Sequence, residues 1–296
     1  MPPAGSDLRV RVATYPGGPV EQDRHVVLSH AVLVLDGASG PDPAAPTGGR
    51  YAEWLSAALG AALTAVPDVD LADALADAIG RVAREHDLRP GSGPSCSVAV
   101  VRWFTGTLDA LVLGDAKVIA VLPAPNLLDD LTPWGGASTR EIELCDLRIA
   151  DVAADLRLLL RRRLHQGGTF DEGHDALLAE IRAEERRHRN TAGGYWIAEA
   201  EPAAARHALT GRWPLDGLVG VAIATDGAWR GFSQYRMHPD PTYLVLRPDR
   251  FEPATALDLI HQKEAADPDG RRWPRSRRHD DKTLAIVTHR RNPPAP

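Results

Sequence analysis

Lysine is scarce in this chain: the positive charge is almost all arginine, with Lys117, Lys263 and Lys282 the exceptions, a usage that reflects genome composition more than function. Cysteine is scarcer still. Cys96 and Cys145 cannot build a disulfide framework, and neither lies in a CxxC or Cys/His metal spacing. They read as reduced thiols, Cys96 as a small core residue within an apolar run. Aromatics make up 5% of the residues, so Ala, Val and Leu must fill most of the interior. There is no excess of positive charge. A net charge of −6 and a pI near 6.0 argue against a nucleic-acid binder. No apolar run reaches the ~18 residues of a membrane span. The first residues, MPPAGSDLRV, lack the basic start and apolar stretch of a secretory signal. The expected location is the cytoplasm, away from membranes. The histidines show no HxxxH or HExxH pattern, and neither GxSxG nor GxxxxGK[ST] occurs. Zinc hydrolases, α/β-hydrolases and P-loop enzymes therefore have little support.

What is present is a set of apolar runs. The 296 residues permit one large domain or two ordinary ones. No linker divides them, and we expect one domain over 1–296 with an ordered core at about 8–291 and short Pro-rich tails. Strand-like runs fall at 25–36, 95–103, 107–122, 218–226 and 282–290. The first reads as a hairpin around Ser29-His30. Turns at Gly106 and Gly114-Asp115 suggest a meander of antiparallel strands. The segment 37–50, rich in Gly, Pro and Ala, reads as a loop. Helical spacing appears at 50–66, 68–87, 150–167, 171–190 and 252–267. The second of these begins acidic and ends basic, as the helix dipole favours. The last has Pro253 near its first turn. Strands come in hairpins and helices in pairs, which is not the alternation of a doubly wound parallel sheet. The pattern predicts an α+β fold of antiparallel sheets covered by antiparallel helices.

Aspartates recur where these runs end: Asp23, Asp36, Asp115, Asp226, and the pair Asp280 and Asp281. Taken singly, an Asp-Gly or Gly-Asp is a turn, because Gly takes positive φ and Asp caps its own backbone. Taken together, carboxylates gathered at one end of a sheet repel one another unless a cation lies between them. Mg²⁺ and Mn²⁺ prefer such oxygen ligands, and a pair of ions ~3.5–4 Å apart can activate water against phosphorus. Spacing alone leaves both readings open.

Four stretches resemble the metal-dependent protein phosphatases of type 2C (the PPM family), in that family's order and over about residues 11 to 290. VLVLDGASG is similar to its strand followed by Asp-Gly. LVLGDAKVIAVL resembles its Gly-Asp-Ser hairpin, VAIATDGAWRG its ATDG-x-W strand end, and DDKTLAIV its final D-[ND]-x-T strand. The resemblance implies a four-layer αββα sandwich, two mainly antiparallel sheets flanked by antiparallel helix pairs. It implies two Mn²⁺ or Mg²⁺ ions and hydrolysis of phosphoserine or phosphothreonine in a phosphorylated protein, with metal-activated water as nucleophile. Asp36 becomes the shared metal ligand, with the Gly37 carbonyl beside it, and Asp226 and Asp280 bind the other side. Asp23 matches the Asp of an early N-E-D motif. Asp115 matches an Asp tied to a third, looser metal. Asp281 falls where the family often has Asn, and its expected role is support.

The chain also departs from that pattern. Gln22 stands where the motif has Glu, PGGPV fills the region of a phosphate-gripping Arg, Ala38 follows Asp-Gly where animal members have His, and Arg230 stands where some members carry another acid. These departures motivate a second reading, a non-catalytic regulatory or binding module on the same fold. A third is a hydrolase of small phosphoesters. Arg277 and Arg278, in the basic run 271–278, are candidate phosphate grips; the plainer reading is a solvated charged loop. The run 182–190 is either a binding surface or, more simply, the exposed face of a helix. Tyr195 and Trp196 either flank a groove or pack in the core. Oligomeric state is not readable from the sequence.

Overall fold

The computed structural model describes residues 8–124 and 139–289. The expected terminal tails lie outside these residues. Among the described residues, ten strands form two five-stranded sheets. One has the order β1 (Leu8–Tyr15), β10 (Lys282–His289), β9 (Gly220–Ala224), β6 (Lys117–Pro123), β7 (Thr139–Cys145). The other has the order β2 (Asp23–Val27), β3 (Ala31–Ala38), β4 (Ser95–Phe104), β5 (Thr107–Leu113), β8 (Leu209–Pro214). Every pairing is antiparallel.

The layers follow from burial on both faces of the central strands. Val32, Val34, Ala99, Val101 and Val112 of one sheet meet Val118, Ala120, Val221, Ile223 and Val287 of the other. The alternate residues of β3 and β4, such as Leu33, Leu35 and Val98, pack beneath α1 (Gly48–Ala65) and α2 (Leu71–Glu85). On the far side, Val121, Ala222, Leu284 and Ile286 pack against α6 (Asp226–Gln234), α7 (Pro241–Leu246) and α8 (Pro253–Ala265). The result is the expected αββα sandwich. Strands buried on both faces carry near-continuous apolar runs, and these runs were what made them legible.

Caps set the helix starts. The Thr47 hydroxyl accepts from Arg50 N, and the Asp70 carboxylate accepts from Ala72 N and Asp73 N. Pro253 occupies the first turn of α8 as expected. The remaining helices, α3 (Arg148–Asp151), α4 (Ala154–His165) and α5 (Glu172–His188), lie in the connection from β7 to β8 and belong to none of the three sandwich cores. A short 3₁₀ helix, Pro202–His207, leads into β8.

The structure corrects two local expectations. The Gly114-Asp115 turn does not continue a meander: β5 and β6 belong to opposite sheets, so this turn carries the chain across the sandwich. The second helical pair, α4 and α5, is not the outer layer of the second sheet. That layer is α6 to α8, whose first two helices the sequence did not reveal because they are short. Tyr195 is buried against Val152 and Ile197, the plainer of its two readings.

Candidate metal centre

β2 and β3 pair so that Asp23 lies directly opposite Asp36, and Asp36 in turn faces Ser97 on β4. Two carboxylates thus share one end of the sheet by register alone. The chain leaves β3 through Gly37, where a side chain has no room: a Cβ there would come within 2.4 Å of the Gly48 carbonyl at the start of α1. From the other sheet, β9 ends at Ala224, Thr225 follows, and α6 begins at Asp226. The Thr225 hydroxyl does not cap its own helix but donates to Asp23 Oδ2 at 2.8 Å, linking the two sheets. Gly227 is required by close packing rather than by a turn: a Cβ would lie 2.1 Å from the Asp281 carbonyl oxygen. That contact sets the first turn of α6 against Asp280 and Asp281.

One cleft of about 1190 Å³ is lined by Asp36, Gly37, Asp115, Asp226 and Asp280 together. Asp23 lies beneath it, 1% exposed, with Oδ1 left without a hydrogen-bond partner. Burial pushes the Asp23 carboxyl well above the usual carboxylate range, against the hydrogen bond from Thr225. Burial raises Asp36 likewise, reinforced by the charges of Asp23, Asp226, Asp280 and Asp115. Among the described residues no group hydrogen-bonds to or ion-pairs with the Asp36 carboxylate.

The other acids are held by cations. Arg230 puts Nη1 2.8 Å from Asp226 and Nη2 2.8 Å from Asp115. Burial opposes its charge, yet Asp226, Asp115, Asp280 and Asp36 hold its pKa above the ordinary arginine value. Asp115 also accepts from Ser97 Oγ at 2.8 Å, and its carbonyl from the Trp229 indole at 2.8 Å. Arg277 lies 3.3 Å from Asp280. Arg278 turns away: it sits over the Phe170 ring and donates to the Pro268 carbonyl. Of the two arginines singled out in that run, the structure brings only Arg277 to the acidic cleft. Asp281 is a structural anchor, accepting from Gly17 N at 2.7 Å and Gln22 N at 3.0 Å. Gln22 lines the cleft and accepts from Ser39 Oγ at 3.2 Å.

The carboxylates share the cleft without closing on one another. Among the described residues, the one group of three His, Cys, Asp or Glu residues with ligand atoms all within 4.8 Å is His261, Glu264 and His279. Guanidinium groups hold Asp226, Asp115 and Asp280, so mutual repulsion around Asp36 is relieved sideways. Glu264, 3% exposed, is spoken for by Lys282 Nζ at 2.8 Å and His279 Nδ1 at 3.0 Å, contacts that seat the segment carrying Asp280. An unpartnered carboxylate at Asp36, an orphaned oxygen at Asp23 and an all-oxygen donor set fit a hard divalent cation.

Sequence reasoning missed Ser97, Thr225 and Glu264. The first two are small hydroxyl residues at strand ends, and a buried Glu in a helix leaves no periodic signal. The run 182–190 has two readings, a binding surface or an exposed helix face; Arg182 is exposed, and both Arg182 and Arg186 line the cleft.

No protein-family profile matches the chain, and no curated protein matches it by sequence. Solved structures do match in shape. The PPM Ser-Thr phosphatase MsPP from Mycobacterium smegmatis superposes with a TM-score of 0.51 at 18% identity, covering 95% of this chain and 97% of that one. The serine-threonine phosphatase 2C from Toxoplasma gondii gives 0.52 at 15% identity, over 96% and 95%. The Mycobacterium tuberculosis serine/threonine phosphatase PstP/Ppp gives 0.52 at 13% identity, over 96% and 99%. With its two antiparallel sheets between helical layers, the chain has the fold of the PPM, or type 2C, protein phosphatases.

Proposed function

We propose that this chain is a metal-dependent phosphatase that hydrolyses phosphoserine and phosphothreonine monoesters of a phosphorylated protein, its 296 residues forming one catalytic domain that works in the cytoplasm. The observation that carries this reading is the unpartnered Asp36 carboxylate, set in a cleft among Asp226, Asp280 and Asp115 with Asp23 beneath. Asp36 and the Gly37 carbonyl would hold two Mn²⁺ or Mg²⁺ ions, joined by Asp226 and Asp280 and supported by Asp23. When bound, such ions neutralise phosphoryl charge and lower the pKa of a coordinated water.

The chain's own groups do the rest. The β2–β3 register sets Asp36 opposite Asp23, so both carboxylates leave the backbone at the same end of the sheet. The Thr225 hydroxyl keeps one Asp23 oxygen occupied and leaves the other free. Arg277, paired with Asp280 at the cleft, is placed to exchange that carboxylate for a phosphoryl oxygen, because guanidinium serves either bidentately. No side chain is required as covalent nucleophile. The M. smegmatis phosphatase is described in complex with cacodylate, a tetrahedral oxyanion, which supports an oxyanion site in this fold.

The test is hydrolysis of p-nitrophenyl phosphate. Turnover that requires Mn²⁺ and vanishes in excess chelator is expected; robust turnover in chelator contradicts the reading. One observation favours a second reading, a non-catalytic regulatory module: Arg230 and Arg277 already neutralise Asp226, Asp115 and Asp280. A folded chain that binds no Mn²⁺ at millimolar concentration in calorimetry would select it.

A further inference from the structure

We propose that the arginine-lined wall of the cleft selects phosphopeptides with Asp or Glu residues flanking the phosphorylated residue; this specificity rests on the phosphatase reading above. The wall is made by α4 and α5, two of the three helices outside the sandwich cores. On α4, Arg157, Leu160, Arg161 and His165 recur at helical spacing and line the cleft. On α5 the same is true of Leu178, Arg182, Glu185 and Arg186. Residues three and four apart share one face of a helix, so each helix turns a basic face with an apolar stripe toward the space that also holds Asp36.

The charges on this wall divide into two sets. Arg157 is committed to Glu185, and Arg189 to Glu199 at 3.0 Å. Arg161, Arg182 and Arg186 make no ion pair and no hydrogen bond among the described residues. The acids that line the cleft outside the aspartate centre are both taken, Glu185 by Arg157 and Glu264 by Lys282 and His279. Three guanidinium groups therefore face the cleft with no internal anion left for them, in a chain whose net charge is −6. A peptide whose phosphate reaches Asp36 passes this wall, and carboxylates on it would supply the missing partners. The unpaired charge on this wall is of one sign, and such a surface concentrates ligands of the other. The overall negative charge disfavours a nucleic acid as the polyanion.

The experiment uses the full chain with Mn²⁺ and three phosphoserine decapeptides that differ in the flanks: Glu, Ala or Lys. At low salt kcat/KM should favour the Glu peptide over the Lys peptide by about tenfold, the product of a few exposed charge pairs. Raising NaCl to about 0.5 M should erase most of that preference by screening. In R182A/R186A the ratio should fall to about twofold, and R182K/R186K, which keeps the charge, should recover most of it. In parallel, fluorescence anisotropy follows a labelled Glu-flanked peptide without phosphate, which reads the wall independently of turnover. Hydrolysis of p-nitrophenyl phosphate with equal kcat/KM for Glu and Lys peptides would overturn the proposal and leave the phosphatase reading intact. Charge-dependent anisotropy, lost in R182A/R186A, in a chain that hydrolyses nothing would uphold the wall and remove the phosphatase reading. An oligonucleotide that displaces the labelled peptide more strongly than the Glu peptide itself would also overturn the proposal.

Discussion

Arg230 reaches Asp226 across one turn of α6, Nη1 to Oδ2 at 2.8 Å, and holds that carboxylate at the cleft wall. Its second nitrogen meets Asp115, the residue that the family resemblance ties to a third cation. A guanidinium thus stands as a fixed positive charge between two acids, and it sets the first prediction. Arg230→Ala should open the space between Asp115 and Asp226 to an additional ion. Calorimetry should then count one Mn²⁺ more than for the parent chain. In chelator the same variant should melt lower by about 2–4 °C, since the half-exposed guanidinium is worth about 1–2 kcal/mol. An unchanged ion count would contradict this assignment.

Asp36→Asn should abolish Mn²⁺-dependent hydrolysis of p-nitrophenyl phosphate, by at least about 10²-fold, the cost of removing one fixed electrostatic group from a reacting centre. The fold should survive, because among the described residues none hydrogen-bonds to or ion-pairs with the Asp36 carboxylate. Circular dichroism and activity measured on one sample would separate the two effects.

The same carboxylates predict how the metal-free chain responds to pH. Burial and neighbouring acids raise the Asp36 carboxyl, and burial raises Asp23, well above the ordinary value of 3.8. The folded state therefore holds these protons more tightly than the unfolded state. Their contribution is fully present below the unfolded pKa and is lost as pH rises through the folded one. In chelator the melting temperature should fall over that window, and Asp36→Asn should flatten the fall. Added Mn²⁺ should reverse the trend, because it binds the ionised carboxylates. A melting temperature independent of pH in chelator would refute the account.

Gly227→Ala should disable the centre without touching a charged group. The new Cβ would meet the Asp281 carbonyl oxygen at 2.1 Å, so α6 must move away from Asp280. The expected cost is about 1–3 kcal/mol of stability, with weaker Mn²⁺ binding. By contrast, Asp281→Ala should cost stability through the orphaned Gly17 and Gln22 amides, about 1–3 kcal/mol, and leave the ion count unchanged. Denaturant titrations beside calorimetry would distinguish the two.

Cys145, whose Sγ lies 3.9 Å from the Asp115 carbonyl oxygen, offers a check that needs no metal. Burial raises its thiol to about 12, so almost no thiolate exists at pH 8. Iodoacetamide should modify the native chain far more slowly than the urea-unfolded chain. Rapid native alkylation would show that the thiol is not shielded as described.

The sequence by itself determined the central strands and the identity of the acids. β3, β4, β5, β9 and β10 are buried on both faces, and continuous burial writes itself as an apolar run. Asp36, Asp226 and Asp280 stand out because a charge interrupts such a run. The strands that escaped, β1, β7 and β8, are sheet edges where polar residues interrupt the pattern, and β7 and β8 each turn one face largely to solvent. Tertiary structure alone decided which charges meet. Arg230 finds Asp115 across 115 residues, and Thr225 finds Asp23 across 202. The run 182–190 reads as a solvated helix face until α4 and α5 are seen beside the aspartates. Local periodicity records which side of an element is buried, whereas a Coulomb contact depends on distances that only the packing of the whole chain sets.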